Sequence, residues 1–132
     1  MNLRTGHRIV RTYPAMTQGF YQDYLGVLRR AYPGQKILLL LDQAPSPLAQ
    51  PSLQLAADYE MELLWLPQQC PELNGMDPLW GKAKTAVAAN YPFASVDELA
   101  ERCIDGVNQL SPRQAKLLAG ILSPQFWLKQ LL

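Results

Sequence analysis

An unbroken run of five apolar residues, at positions 37–41, leads directly into Asp42 and then into a turn rich in proline. A short apolar run bounded by turn residues is typical of a strand that is buried on both faces of a sheet. Ligands and catalytic groups of open α/β sheets collect at the carboxyl ends of such strands. The Asp42 carboxylate is therefore expected either to act on a ligand or to cap the loop that follows.

A second apolar run, at positions 61–66, predicts a second buried strand. The residues between the two runs predict a helix over positions 49–59. Its buried side is predicted to consist of Leu53, Ala56 and Ala57. A strand, a helix and a strand joined by short loops predict a right-handed parallel crossover. The loop after position 66 is then expected at the same edge of the sheet as Asp42.

The N-terminal segment predicts a hairpin followed by a helix. Positions 1–13 contain the turn pair Thr5–Gly6 and an alternating stretch that is typical of a half-buried strand. Thr17 is predicted to cap a helix that continues to about position 31, and Pro33 and Gly34 then end it.

Helix signals dominate the C-terminal third of the chain. One helix is predicted to end near position 90, and the pattern Ser-x-x-Glu at positions 95–98 opens another. Ser111–Pro112 and Ser123–Pro124 each place a capping serine before a proline that suits the first helical position. The apolar stripe of the helix after position 95 is predicted to be Val96, Leu99, Cys103, Val107 and Leu110. The residues expected to anchor the end of the chain are Phe126, Trp127 and Leu128.

The 132 residues predict a single domain with a core of its own. A net charge of +1 gives no overall basic signature, although a local basic patch is compatible with it. Two cysteines and one histidine exclude a Cys/His zinc site of the usual pattern. The polar N-terminus is no signal peptide, and no apolar run is long enough to span a bilayer. We therefore expect a cytoplasmic protein with no membrane partner.

Two motifs and the interval between them carry a family resemblance. Asp42-Gln-Ala-Pro follows the first strand, and Pro71-Glu-Leu-Asn-Gly-Met-Asp77-Pro-Leu-Trp follows the second, with 34 residues between the two aspartates. Together these pieces resemble the catalytic domain of mariner-type DDE transposases, in particular the bacterial insertion-sequence branch. The resemblance extends over nearly the whole chain, from positions 2–7 to positions 122–127.

The resemblance implies an α/β, ribonuclease-H-like fold with a helical C-terminal third, and an enzyme that cuts and joins DNA with two divalent metal ions. Asp42 and Asp77 correspond to the second and third of the family's three catalytic carboxylates. They would be ligands of Mg²⁺ or Mn²⁺, which prefer hard oxygen donors. The implied partner is DNA at transposon ends. Lys82 and Lys84 would contact its phosphates, and the alternative for both lysines is a solvated helix face.

The chain departs from the family pattern at several positions. The family's first catalytic aspartate lies on a strand before the hairpin, whereas no acidic residue precedes Asp23 here. The domain is therefore expected to be truncated, without that first strand and without the helix-turn-helix DNA-binding region. Pro47 replaces the family's histidine, Gly75 replaces a proline, and Pro78 directly follows the third carboxylate.

Pro78 predicts an altered start for the helix that carries Asp77. Proline favours the first helical position, which would make Asp77 the N-cap and delay the helix by about three residues. Gly75 would make the freed loop flexible. The Asp77 carboxylate would then accept N–H donors near Leu79 and Trp80 instead of facing a metal.

Two functional hypotheses follow. The chain is either a DDE transposase catalytic domain that is inactive alone because the first carboxylate is missing, or a non-catalytic remnant or engineered fragment. The remnant or engineered fragment would act as a DNA-binding or oligomerisation module. The missing strand would leave unpaired backbone groups on the sheet edges. The hairpin could slide across to pair with the first strand, but we expect a homodimer or a strand-donating partner instead.

Overall fold

The structure is a computed structural model that describes residues 1–90 and 92–132. It divides the chain into two compact units, one formed by residues 11–70 and the other by residues 1–10 together with 71–132. Each unit has its own cluster of buried side chains, so each is described by itself. The single domain expected over residues 1–132 stays a prediction.

The unit of residues 11–70 alternates helices and strands. Its elements are helix α1 (Gln18–Ala31), strand β1 (Ile37–Leu41), short helix α2 (Pro45–Leu48), helix α3 (Gln50–Asp58) and strand β2 (Met61–Trp65). The predicted helix and strand bounds are confirmed to within two residues, but α2 was not predicted. It forms in the proline-rich turn after Asp42, where Pro45 occupies the first helical position.

Helix α1 begins and ends where its sequence signals predict. The Thr17 hydroxyl accepts a hydrogen bond from the Phe20 N–H at 3.3 Å, which satisfies one of the free donors at the helix start. Two arginines occupy the last turn, where positive charge is stabilised by the helix dipole. Gly34 follows with a φ of +67°, a conformation that glycine adopts without steric cost.

Strands β1 and β2 pair in parallel, with Ile37 beside Met61 and Leu41 beside Trp65. This confirms the predicted parallel arrangement. Ile37, Leu39 and Leu63 pack on the buried cluster that α1 and α3 share with β2. Its buried members are Leu25, Ala56 and Met61.

The expectation that residues 37–41 are buried on both faces is wrong. Successive residues of a strand point to opposite faces, and Leu38, on the face away from the helix cluster, is 47% exposed. On the same face, Glu62 forms an ion pair with Lys36 at 2.7 Å. Ala57 of α3 is also exposed, so the predicted stripe of that helix is too wide.

The second unit is helical. It contains α4 (Met76–Asn90), α5 (Val96–Gln109) and α6 (Pro112–Leu118), with short 3₁₀ turns at Pro71–Leu73 and Lys129–Leu131. Its buried cluster consists of Leu79, Val107, Ala119 and Ile121. The helical C-terminal third is thus confirmed. The chain's end is anchored as expected, because Leu128 is buried and the Trp127 indole N–H donates to the Leu73 carbonyl at 3.0 Å.

The hairpin predicted for residues 1–13 does not form. The Asn2 side chain accepts the N–H groups of Arg4 and Thr5 at 3.0 and 3.1 Å, which closes a turn without a partner strand. Gly6, at a φ of +79°, lies so close to Pro112 that a Cβ would come within 2.5 Å of the proline carbonyl oxygen. Contacts with the distant residue Pro112 thus replace the expected strand pairing.

Two C-terminal expectations also change. Val96 is 80% exposed and so does not belong to the apolar stripe of α5. Ser123–Pro124 begins a turn, in which the Ser123 hydroxyl accepts the Gln125 N–H, and no α-helix follows. The Ser111–Pro112 signal is confirmed, because Ser111 and Gln114 form a complete capping box at the start of α6.

Candidate active site

Asp42 stands directly after β1, at the carboxyl end of the strand pair. The Leu41 carbonyl still accepts the Leu66 N–H at 2.7 Å, so pairing continues to the residue before Asp42. The Asp42 side chain is exposed and forms no hydrogen bond or ion pair with another described residue. It does not cap the short helix that follows, which has no side-chain cap. The strand therefore presents a carboxylate to solvent.

Two glutamine side chains connect the loop after β1, which contains Asp42, with the loop after β2. The Gln43 amide nitrogen donates to the Leu66 carbonyl at 3.0 Å. The Gln68 amide nitrogen in turn donates to the Gln43 side-chain oxygen at 3.3 Å. The next residue, Gln69, has a φ of +59°, which is uncommon outside glycine. Sequence reasoning did not identify these glutamines, because single amides in loops follow no periodic pattern.

Asp77 lies inside helix α4, and the prediction that it forms the N-cap is wrong. The helix begins at Met76, whose N–H donates to the Asn74 side-chain oxygen at 3.1 Å. The Asn74 carbonyl accepts the Asp77 N–H at 3.1 Å. Pro78 is third in the helix, where an N–H would have no intrahelical acceptor in any case. Proline therefore removes no hydrogen bond there, and Asn74 takes the capping role.

The Asp77 carboxylate is exposed at the positive end of the α4 dipole. The Asn74 amide nitrogen lies 3.5 Å from the Asp77 carboxylate, which is a long contact. Gly75, which was expected to make the loop flexible, is instead buried. A Cβ at that position would lie 3.3 Å from the Ala119 carbonyl oxygen, so the backbone packs closely against that carbonyl.

Lys82 and Lys84 are both exposed on α4, but they point in different directions. At about 100° per residue, Lys84 returns to within about 20° of the Asp77 direction, two turns further along the helix. Lys82 lies about 140° away from that direction. Only Lys84 therefore shares a helix face with the candidate catalytic residue.

Asp23, the first acidic residue of the chain, is engaged elsewhere. The Tyr13 hydroxyl donates to its carboxylate at 2.6 Å, and the Tyr13 ring stacks on Phe20 at a centroid distance of 5.1 Å. This hydrogen bond raises the pKa of Tyr13 above its ordinary value. Residues 1–90 and 92–132 contain no group of three or more His, Cys, Asp or Glu side chains that could hold a metal ion.

The donor chemistry of the two aspartates fits a divalent cation. Mg²⁺ is commonly held by one or two carboxylates and completes its shell with water and substrate phosphate oxygens. Asp42 and Asp77 are each exposed carboxylates, so each offers oxygen donors of this kind. Asp42 belongs to the unit of residues 11–70, and Asp77 belongs to the unit of residues 1–10 and 71–132.

A parallel strand pair that ends in a free carboxylate, together with its helices, is compatible with an α/β nuclease domain. The sequence profile described as DDE superfamily endonuclease matches residues 1–100, and this chain therefore belongs to that family. The family implies transposase-like cutting of DNA, with DNA as substrate and, in general, divalent metals. No curated protein matches the chain. None of the helices in the described part of the chain is long and apolar enough to cross a membrane.

Proposed function

We propose that the chain is part of the catalytic domain of a mariner-type DDE transposase of the bacterial insertion-sequence branch, with a ribonuclease-H-like fold. The observation that carries the proposal is the free Asp42 carboxylate directly after a parallel strand, with 34 residues between it and Asp77. Membership of the DDE endonuclease family supports it. The proposed place of action is the cytoplasm.

Asp42 and Asp77 are the proposed metal-holding residues. When bound, two divalent ions would activate the attacking oxygen and stabilise the leaving oxygen of a phosphodiester. The chain's own contribution is to keep both carboxylates exposed to solvent. Asn74 supports this at Asp77, because it takes over the capping of α4.

A third carboxylate is required, and these 132 residues do not supply one that matches the family pattern. Asp23 accepts the Tyr13 hydroxyl and lies on α1 rather than on a strand. We therefore propose that the 132 residues alone do not cut DNA. A segment from outside them would complete the site with a strand that ends in an aspartate.

The two strands offer a place for such a segment. Among the described residues the sheet has only β1 and β2, so each strand has one edge without a strand partner. Unpaired edges are templates for pairing with another chain. A homodimer or a strand-donating partner is the proposed occupant. Sedimentation at micromolar concentration tests it, and a compact monomer would contradict strand exchange between copies.

The metal role is tested by calorimetric titration of the full chain with Mn²⁺ and Mg²⁺. The expected result is weak binding in the millimolar range, which Asp42→Asn and Asp77→Asn each reduce. A matched control is Asp58→Asn, which removes a carboxylate on α3 that accepts the Gln54 amide. Equal binding by all three variants and by the unmodified chain would contradict the proposed ligands.

A second candidate is a non-catalytic module that binds DNA. The exposed lysines of α4, Lys82 and Lys84, favour it, because they can contact phosphates without a metal. Salt-dependent binding of duplex DNA, unaffected by Asp42→Asn and accompanied by no metal binding, would select this function over the catalytic one.

A further inference from the structure

Asp42 is bracketed by two hydrogen bonds to the same residue. On one side the Leu41 carbonyl accepts the Leu66 N–H at 2.7 Å. On the other side the Gln43 side chain donates to the Leu66 carbonyl at 3.0 Å. Leu66 is only 3% exposed, so both bonds end on a residue that is fixed by packing. The backbone around Asp42 is thus tied to the core while its carboxylate remains in solvent.

The Gln43 amide is itself held in one orientation. A glutamine amide can flip between its oxygen and nitrogen, and only the nitrogen can donate to a carbonyl. Gln68 donates to the Gln43 oxygen at 3.3 Å, which leaves the nitrogen directed at Leu66. Gln69, in its left-handed conformation at a φ of +59°, follows directly in the same loop. Such conformations persist where the surrounding structure requires them.

We propose that Gln43 is a positioning residue that fixes the backbone from which the Asp42 carboxylate reaches a divalent cation, and that Gln68 holds Gln43 in its donating orientation. The inference rests on the proposed function, because it assigns a supporting residue to that site. Residues that orient a metal ligand without touching the metal commonly change metal affinity by ten- to a hundredfold. Gln43 acts on Asp42 through the backbone between them.

The substitution Gln43→Met separates positioning from packing. Methionine has nearly the same length and shape as glutamine but cannot donate to the Leu66 carbonyl. The matched control is Gln54→Met, which removes a glutamine bond of 2.9 Å to Asp58 on α3 of the same unit. Gln68→Met removes only the outer bond at an exposed position and does not threaten folding.

The readout is Mn²⁺-induced broadening of the Asp42 amide signal in ¹⁵N NMR spectra of the full chain, titrated for each variant. Gln43→Met is expected to raise the Mn²⁺ concentration for half-broadening about tenfold. Gln68→Met is expected to raise this concentration only about two- to threefold, because Gln68 acts on Asp42 only through the Gln43 amide. Gln54→Met should match the unmodified chain.

The outcomes separate the two proposals. If the unmodified chain shows broadening at Asp42 that Asp42→Asn removes, while Gln43→Met and Gln68→Met leave the titration unchanged, the positioning role is overturned and the metal site stands. If the unmodified chain shows no broadening at Asp42, the metal site is overturned and the positioning role with it. If Gln54→Met raises the Mn²⁺ concentration for half-broadening as much as Gln43→Met does, the positioning role is also overturned.

Discussion

Helices α4 and α5 begin in different ways, although their buried faces meet in one cluster through Leu79 and Val107. At α5 the Ser95 hydroxyl caps the helix, and one of the two acidic residues of the first turn, Glu98, also takes part because its carboxylate accepts the Ala94 N–H at 2.9 Å. At α4 an asparagine, Asn74, caps the helix and the acidic residue Asp77 stays exposed. A carboxylate that the helix does not need for its own stability is available for a ligand.

The largest expected effect tests whether packing, rather than its N-terminal acid, holds α4 in place. Leu79 is fully buried, so Leu79→Ala should lower the free energy of unfolding by about 3 kcal/mol, through lost apolar burial and a cavity. Leu117→Ala removes a leucine that is 63% exposed and should cost no more than about 0.5 kcal/mol. Urea denaturation measures both, and equal losses would contradict the assignment of the core.

The next effect distinguishes the two candidates for the α4 cap. Asn74→Ala should lower the free energy of unfolding by about 1 kcal/mol, because Met76 loses its side-chain acceptor. Asp77→Ala should cost less, at most about half as much, since only a dipole interaction is lost. A larger loss from Asp77→Ala would show that Asp77 caps the helix after all.

A smaller effect concerns the face of α4 that carries Asp77. Lys84→Ala should weaken duplex DNA binding by about threefold at moderate salt and reduce the salt slope by about one phosphate contact. Lys82→Ala is the matched control, because it removes the same charge from another face of the same helix. Fluorescence anisotropy across a salt series measures both, and identical losses would mean that the Asp77 face has no special role.

The smallest effect is a pH dependence at the start of α5. The Ala94 N–H and then the Arg102 guanidinium stabilise the ionised carboxylate and hold the pKa of Glu98 below its usual range. Its stabilisation is therefore fully present above the carboxyl pKa of the unfolded chain, and it is lost as the pH falls through the lower folded-state pKa. The free energy of unfolding should be measured between about pH 2 and 6. It should fall less steeply with decreasing pH in Glu98→Gln than in the unmodified chain.

The control for this pH dependence is Glu101→Gln, which removes an exposed carboxylate of the same helix. If both variants changed the pH dependence of the free energy of unfolding equally, the contact between Glu98 and Ala94 would not be the cause of that dependence.

Sequence reasoning succeeded where the stabilising contacts are local. The Thr17 cap of α1 and the Ser111–Gln114 box of α6 lie within three residues of the N–H groups they satisfy. The apolar runs of β1 and β2 predicted both strands and their parallel order. These signals are encoded by neighbouring residues and need no knowledge of the rest of the chain.

Prediction failed where distant residues decide the structure. Gly6 meets Pro112, and the Arg8 side chain donates to the Leu110 carbonyl, so residues 1–10 bind the helical unit instead of forming a hairpin. Leu38 remains 47% exposed, because burial of a strand face depends on elements elsewhere in the chain. For Pro78, the missing fact was the helix start, since proline costs a hydrogen bond only beyond the first turn.

The candidate site shows the same difference between features set by neighbouring residues and contacts between distant ones. The positions of Asp42 and Asp77 followed from motifs, because a strand end and a helix start are marked by the sequence around them. The link from Gln43 to Leu66 joins residues 23 positions apart, and nothing in the sequence pairs them. Asn74 carried a signal that could have been used, since asparagine is among the preferred capping residues.

The close approach of Gly75 to Ala119 restricts which residues position 75 can accept. The glycine is buried, and because it has no side chain its backbone lies directly against the Ala119 backbone. A Cβ at position 75 would lie 3.3 Å from the Ala119 carbonyl oxygen, so any other residue requires the two segments to move slightly apart. A substitution at position 75 is therefore best combined with one near Ala119.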